Sequence, residues 1–250
     1  MDSQRYISIE LTHFVGRSLL TDEARYRLLV KILKEGKLKA PGYNQLTISL
    51  KKSVSQNEMF KLAVVCFCDI PVADLGNHIG KYGAFGLSFL KPFLIMKGAN
   101  PVFYIAANSI VNKAGGDFAY WWTDESAVEP PIRTGTAGAG TIKRSEYFDK
   151  MLQEYEALFR TFMRQESQRD FEKVRHLQRF LSFYVFSYLE PFDDSLTDDH
   201  PDNFYMEREW RILGHVDFSM SDVHRVILPQ SFSGRFRRDL SEYVGQISFP

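Results

Sequence analysis

The chain has 250 residues, of which 44% are hydrophobic and 25% are charged. A chain of this size and composition can bury a full core as one large domain or two small ones, so intrinsic disorder is not the default expectation. Its 31 basic residues balance 31 acidic residues, so no overall positive field exists to hold a polyanion, and a histone-like nucleic-acid binder is excluded.

The same sequence argues against export and membrane insertion. No apolar run approaches the roughly 20 residues of a membrane span, and the start, MDSQRYISIELTH, lacks the basic end and apolar stretch of a signal peptide. Two cysteines, Cys66 and Cys68, provide neither a disulfide framework nor a four-ligand zinc site. We therefore expect a cytoplasmic protein with no membrane contact and no bound metal.

In the first half of the chain, strand patterns and helix patterns alternate. Residues 6–15 alternate apolar and polar side chains as a strand does, with Ile7, Ile9 and Leu11 on one face. Thr21 fits a helix N-cap, and apolar residues recur at helical spacing until Gly36 ends the helix. The further elements predicted here are a strand at 61–70, a short helix or turn at 74–81, and strands at 84–89 and 102–106.

The second half of the chain starts with a break in these patterns. Residues 115–143 include GGDFAYWW and TGTAGAG, which predict a flexible loop. Two apolar stripes at helical spacing then predict a helical insertion over 144–190, and EWRIL, HRVILP and GQISF predict the last strands. Because strands at both ends of the chain enclose the helices, we expect a single α+β domain over 1–250, with distant strands meeting in one sheet.

The segment YMEREWRIL carries the strongest chemical pattern. If it is a strand throughout, Glu207, Glu209 and Arg211 share one face. Two neighbouring carboxylates raise the proton affinity of one of them while a guanidinium opposes this rise, an arrangement found in active sites. The alternative is an exposed strand face whose charges offset one another, and spacing alone leaves both interpretations open.

Three more residues are candidates, each with a structural alternative. His13 lies at the end of the first strand, where a histidine can bind a ligand or can be an ordinary surface or core residue. Tyr82 precedes Gly83, whose small size lets a ligand approach, although a tyrosine there can also simply pack beside a turn. Asp69 can contact a ligand or cap the short helix after Pro71.

The order of these motifs resembles the AbiGi family of bacterial abortive phage-resistance proteins. The segments that carry the resemblance are HFVGRSLL, LLVKILKEGKLKAP, VVCFCDIPVADLGNHIGKYGAFGLSFLK and FYMEREWRIL. The resemblance covers nearly the whole chain except 115–140, and its Glu-x-Glu-Trp-Arg ending is the most distinctive part. More remotely, the order from His13 through ILKEGKL and CFCD to EREWRIL resembles the ADP-ribosyltransferase fold, which implies a split β-sheet core with a helical insertion.

The resemblance to ADP-ribosyltransferases implies chemistry on NAD as a substrate. Glu209 would be the catalytic carboxylate beside the ribose, opposing the positive charge that develops as the nicotinamide–ribose bond breaks. Glu207 would be the second catalytic residue, which orients the incoming nucleophile or takes its proton. The NAD-binding residues that the resemblance implies are His13, Arg17, Cys66, Phe67, Asp69, Tyr82 and Arg211.

Some of these binding residues take individual roles from the resemblance. His13 would hydrogen-bond the other ribose, and Arg17 would meet the pyrophosphate. Tyr82 or Phe67 would flank the nicotinamide ring. Cys66 stands where the family usually has a tyrosine or a serine.

Together these features imply an effector of anti-phage defence that is an NAD-dependent ADP-ribosyltransferase or an NAD glycohydrolase. Its acceptor would be a macromolecule, either protein or nucleic acid. The AbiGi resemblance also supports an alternative from another class, an antitoxin-like interaction protein without catalysis that binds a cognate toxin or another defence partner. A third alternative is a nucleic-acid-binding regulator that uses the helical arginines between Arg160 and Arg179.

Overall fold

A computed structural model describes residues 8–41, 49–50, 60–61, 63–106, 157, 159–161, 168–193, 195–197, 200 and 203–250. The chain divides into two units. The sheet unit consists of Met1–Ile48, Leu62–Val102 and Thr197–Pro250, and the helical unit consists of Ser49–Lys61 and Phe103–Leu196. The predicted loop at 115–143 lies outside the described residues, and the single domain over 1–250 stays a prediction.

Strands and helices are mixed along the chain, which confirms the predicted α+β class. The strands are β1 (Glu10–Phe14), β2 (Lys37–Leu38), β3 (Ser49–Leu50), β4 (Phe60–Lys61), β5 (Val64–Cys68), β6 (Gly86–Leu90), β7 (Asn100–Pro101), β8 (Phe103–Ala106), β9 (Leu189–Phe192), β10 (Glu209–Leu213), β11 (Val216–Asp217), β12 (Val223–Ile227) and β13 (Gln246–Ser248). The α-helices are α1 (Asp22–Glu35), α2 (Gly76–Tyr82), α3 (Lys91–Met96), α4 (Gln168–Phe180) and α5 (Ser233–Asp239). In the described part of the chain, no helix is both long enough and apolar enough to cross a membrane.

Local sequence signals set the limits of α1, as predicted. The Thr21 hydroxyl accepts a hydrogen bond from the Ala24 amide at 3.2 Å, which satisfies one of the open donors of the first turn. Gly36 ends the helix with a φ of 61°, a left-handed conformation that glycine adopts without strain. The buried stripe of this helix, formed by Tyr26, Leu29 and Leu33, belongs to the main hydrophobic core.

The sheet unit is built on a seven-stranded mixed sheet in the order β13-β12-β6-β1-β5-β10-β7. All its pairs are antiparallel except β12 with β13. Residues paired across neighbouring strands point to the same side, so the register defines two faces. The core face contributes apolar side chains to the main core with α1 and α5: Leu11, Val65, Phe67, Leu87, Phe89, Ile212 and Val226.

The opposite face of this sheet carries buried polar side chains, and we call it the polar face. Its buried polar members are Glu10, Thr12, Ser88, Glu209 and Arg211. A small apolar cluster on the same side joins Cys68 and Ile227 of the sheet to Ile70 and Leu75 of the following segment. The 3-10 helix Val72–Asp74 and α2 therefore pack on the polar face.

Two details differ from the sequence-based expectations for strands. Strand β1 begins at Glu10, and Ile9 lies in a bend with 71% of its surface exposed, so Ile9 does not share the buried face with Leu11.

In the helical unit, α4 is followed by a π-helix at Leu181–Val185, a 3-10 helix at Phe186–Tyr188 and then β9. This strand pairs in parallel with β8 through Pro191, where we expected only the end of the helical insertion.

Gly36 offers a test of how α1 is joined to the rest of the sheet unit. A Cβ atom added at Gly36 would lie 2.5 Å from the Phe218 carbonyl oxygen, in addition to occupying a left-handed backbone position. We expect Gly36→Ala to lower the free energy of unfolding by at least about 2 kcal/mol in urea denaturation.

The matched control for this substitution is Gly80→Ala. A Cβ atom at Gly80 meets nothing within 4 Å, and the residue lies inside α2. We expect this change to raise stability by up to about 1 kcal/mol, because alanine is the better helix former. Equal effects of the two substitutions would contradict the close approach at Gly36.

Candidate functional site

Glu209 and Arg211 form a buried ion pair on the polar face, at the start of β10. Two hydrogen bonds join them: Arg211 Nε donates to Glu209 Oε1 at 2.9 Å, and the terminal nitrogen Nη2 donates to Oε2 at 2.8 Å. Each side chain is only 10% exposed. The predicted carboxylate therefore lies away from bulk solvent, with its orientation fixed by a two-point contact.

Glu207 lies close to the start of β10 but is not part of the strand. It ends the 3-10 helix Tyr205–Glu207, and Arg208, with a φ of 45°, turns the chain into the strand. A left-handed conformation is strained for an arginine. The expectation that Glu207, Glu209 and Arg211 share one strand face is therefore wrong for Glu207, since only Glu209 and Arg211 have strand geometry.

Glu207 contacts two side chains from the end of α2. Its Oε1 accepts a hydrogen bond from Lys81 Nζ at 2.6 Å and another from the Tyr82 hydroxyl. The Lys81 ammonium also lies 3.9 Å from the centre of the Phe204 ring. The face of an aromatic ring attracts a cation, so this contact also stabilises the charged form of Lys81. Helix α2 and the turn before β10 are thus connected through one carboxylate.

The Tyr82 ring belongs to an aromatic stack on the polar side of the sheet. Its centre lies 5.6 Å from the Phe14 ring and 6.4 Å from the His78 ring, and the Arg17 guanidinium lies 4.8 Å from it. Burial raises the pKa of Tyr82 well above its ordinary value, and the charges of Glu207 and, to a lesser degree, Glu209 add to this shift. Tyr82 therefore remains a hydrogen-bond donor, and it lies within the electrostatic reach of both glutamates.

Asp69 follows β5 and connects the turn before β10 to the sheet. Its Oδ2 lies 2.7 Å from Lys91 Nζ, and its Oδ1 accepts a hydrogen bond from the Ser8 amide at 3.2 Å. Arg208 approaches Oδ1 at 3.8 Å. The 3-10 helix after Pro71 has no side-chain cap, so the capping alternative for Asp69 is wrong.

His13 points to the core face, whereas Glu209 points to the polar face. His13 pairs with Leu87 in the register, and its ring centre lies 5.7 Å from that of Phe67. Its Nδ1 lies 2.8 Å from the Cys66 carbonyl oxygen and must donate, because a carbonyl only accepts. Burial lowers the pKa of His13, which favours the neutral ring.

His13 also lines a cleft of about 730 Å³ together with Arg17 and Cys66. Residues of both β1 and β5 line the cleft, and the register between these two strands contains a single pair, Thr12 with Cys68. Tyr82 and Glu209 are not among its lining residues. Arg17 links this cleft to the residues around Glu207, because it lines the cleft and its guanidinium also lies 4.8 Å from the centre of the Tyr82 ring.

Two predicted residues differ sharply in exposure. Phe67 is 2% exposed within the main core, so its ring has no open surface for a ligand. Cys66, at the neighbouring strand position, is exposed, and its sulfur is not part of a disulfide. Sequence reasoning missed Lys81, Lys91 and Arg208, because the contacts that make them important join segments far apart in the chain.

A comparison with known families places this architecture in context. The model of the abortive phage resistance protein family AbiGi, described as antitoxin, matches residues 47–242. The chain belongs to the AbiGi family. The match includes β5, α2 and β10, which supply most of the group around Glu209, but it leaves out β1 and α1 of this AbiGi protein. No curated protein and no solved structure gives a significant match to the chain.

The buried His78 generates a prediction about pH. Its exposed fraction is 7%, and its Nδ1 has no hydrogen-bond partner, while a bond to the Met206 carbonyl holds the other nitrogen. Burial, together with the charge of Lys81, lowers the pKa of His78 to about 4. Between this value and the ordinary pKa of about 6.5, the unfolded chain binds a proton that the folded chain does not.

The free energy of unfolding should therefore decrease as the pH drops from about 6.5 to about 4. His78 should account for on the order of 3 kcal/mol of this decrease. We expect His78→Phe, which keeps an aromatic ring in the stack, to remove this part of the pH dependence. Urea unfolding of both proteins across this pH range measures the difference. Parallel stability profiles would contradict the buried neutral state of His78.

Proposed function

We propose that this AbiGi protein acts in abortive phage defence by breaking the nicotinamide–ribose bond of NAD and transferring ADP-ribose. The observation that supports the proposal most directly is the grouping of Glu207, Glu209 and Tyr82 on the polar side of the sheet. The hydrogen bond from Tyr82 to Glu207 and the position of Glu209 on the polar face, two residues further along the chain, define this grouping. The acceptor would be a protein, a nucleic acid or, in a glycohydrolase reaction, water.

In the proposed step, the bond between the ribose C1′ and the nicotinamide nitrogen breaks, and neutral nicotinamide leaves with the electron pair. Positive charge then develops on the ribose, as it does in glycoside cleavage. The Glu209 carboxylate opposes that charge. Because Arg211 fixes its orientation in the free protein, little reorganisation is needed at the moment of reaction.

The acceptor oxygen or nitrogen forms the new bond to C1′ and releases its proton to Glu207. The Tyr82 ring supplies the aromatic surface for nicotinamide, since Phe67 is buried in the core. Asp69 is a positioning residue, because its contacts with Lys91 and Arg208 hold the turn from which Glu207 and Glu209 emerge.

A second candidate function is that of an antitoxin which binds and neutralises a partner protein without catalysis. The family description includes this role. One structural observation favours it: Glu209 is paired with Arg211, and Glu207 is paired with Lys81, so both carboxylates are neutralised from within the protein. A chain that kept the scaffold but had lost the chemistry would tolerate such pairing.

Glu209→Gln tests the proposed catalysis. The amide cannot oppose a developing positive charge, so NAD consumption should fall by at least about 100-fold. Glu207→Gln should lower transfer to an acceptor more than it lowers nicotinamide release, because Glu207 acts on the nucleophile. Chromatographic measurement of nicotinamide release from NAD by the purified protein, with and without a cell extract as acceptor, records both effects.

The matched control is Glu242→Gln, which makes the same chemical change at an exposed glutamate. It should leave NAD consumption and the melting temperature unchanged. A wild-type protein that consumes no NAD under any of these conditions, while it still suppresses the toxicity of a co-expressed defence partner, would reject the transferase and support the antitoxin. Suppression that persists in Glu209→Gln would support the same conclusion.

A further inference from the structure

The cleft lined by His13, which we call the lysine cleft, has a lining that combines apolar walls with a positively charged rim. Leu28 and Ile32 of α1, which are only partly buried, supply apolar surface, and Lys31, Lys37 and Lys39 line the cleft as well. Its volume of about 730 Å³ falls within the range of small-molecule sites.

The charges around the lysine cleft do not cancel. Among the described residues that line it, Glu35 is the single acidic side chain, and it contacts two of the lysines, with Oε1 at 3.8 Å from Lys31 Nζ and Oε2 at 2.8 Å from Lys39 Nζ. Lys37 Nζ pairs with the exposed Asp217 at 3.1 Å. Exposed ion pairs of this kind contribute little to the stability of the fold. The lysines can therefore leave their carboxylate partners and contact a ligand phosphate instead.

His13 adds a hydrogen-bond acceptor to this lining. Because Nδ1 donates to the Cys66 carbonyl, the neutral ring carries its lone pair on Nε2. A ligand hydroxyl or amino group can donate to that nitrogen. The cleft therefore offers an apolar wall for a ring, an acceptor for an O–H or N–H group, and three ammonium groups for a multiply charged anion.

We propose that the lysine cleft binds a free nucleoside diphosphate or triphosphate. The base would lie against the apolar wall, the ribose or base would donate to His13, and the phosphates would contact Lys31, Lys37 and Lys39. This proposal does not rest on the transferase activity, because neither Glu207 nor Glu209 lines the cleft.

Calorimetric titration with ADP is the test, with adenosine, pyrophosphate and NAD as the other probes. ADP should bind with a Kd below about 1 mM and more weakly as salt concentration rises, and adenosine and pyrophosphate should each bind at least about tenfold more weakly than ADP. Pyrophosphate that matches ADP would overturn the role of the apolar wall. NAD that binds tenfold more tightly than ADP would overturn the assignment to a free nucleotide.

Four variants locate the binding. The double change Lys31→Gln and Lys39→Gln should weaken ADP binding at least about tenfold, whereas Lys34→Gln, on the same helix but outside the lining, should change it less than about twofold. Glu35→Gln should tighten it several-fold, because the carboxylate no longer competes for the lysines. Glu209→Gln should leave it unchanged, and a loss of ADP binding in that variant would overturn the separate site.

Discussion

The buried and half-buried carboxylates on the polar side of the seven-stranded sheet are the constraint on which the sheet unit depends. An unpaired carboxylate in such a position is strongly destabilising, so each one requires a cation at close range. The contacts that meet this requirement are Glu10 with Arg225, Asp69 with Lys91, Glu207 with Lys81, and Glu209 with Arg211. They join β1 to β12, the end of β5 to α3, and α2 to the turn before β10, so the same interactions that hold the fold also shape the candidate site.

The parts of the fold that could be predicted from sequence are those with local causes. The limits of α1 follow from Thr21 and Gly36, residues that act on their own neighbours in the chain. Strands β5, β10 and β12 follow from short β-rich runs, and the structure confirms β10 with the predicted bounds and the other two with shorter ones. Strand β9 was missed because Pro191 lies within it, and only the parallel pairing with β8 gives the residue a place in a sheet.

The arrangement of the site depended on information that local patterns do not hold. Alternation along β1 already places His13 on the side of Leu11, but only the register with β5 and β10 shows that Glu209 faces the other way. The left-handed turn at Arg208 removes Glu207 from the strand, and arginine gives no sequence signal for such a turn. The sequence therefore pointed to the candidate residues but not to the side chains that contact them in the structure.

The position of β1 determines which fragments of this protein can be expressed in a folded form. Residues 47–242 match the AbiGi family, yet β1 lies between β6 and β5 at the middle of the sheet, and β13 lies beyond residue 242 at its edge. A fragment trimmed to the matched residues would leave two strand edges open where β1 belongs, and open edges promote aggregation. The segment by which the family is recognised and the segment that can fold are therefore different stretches of the same polypeptide.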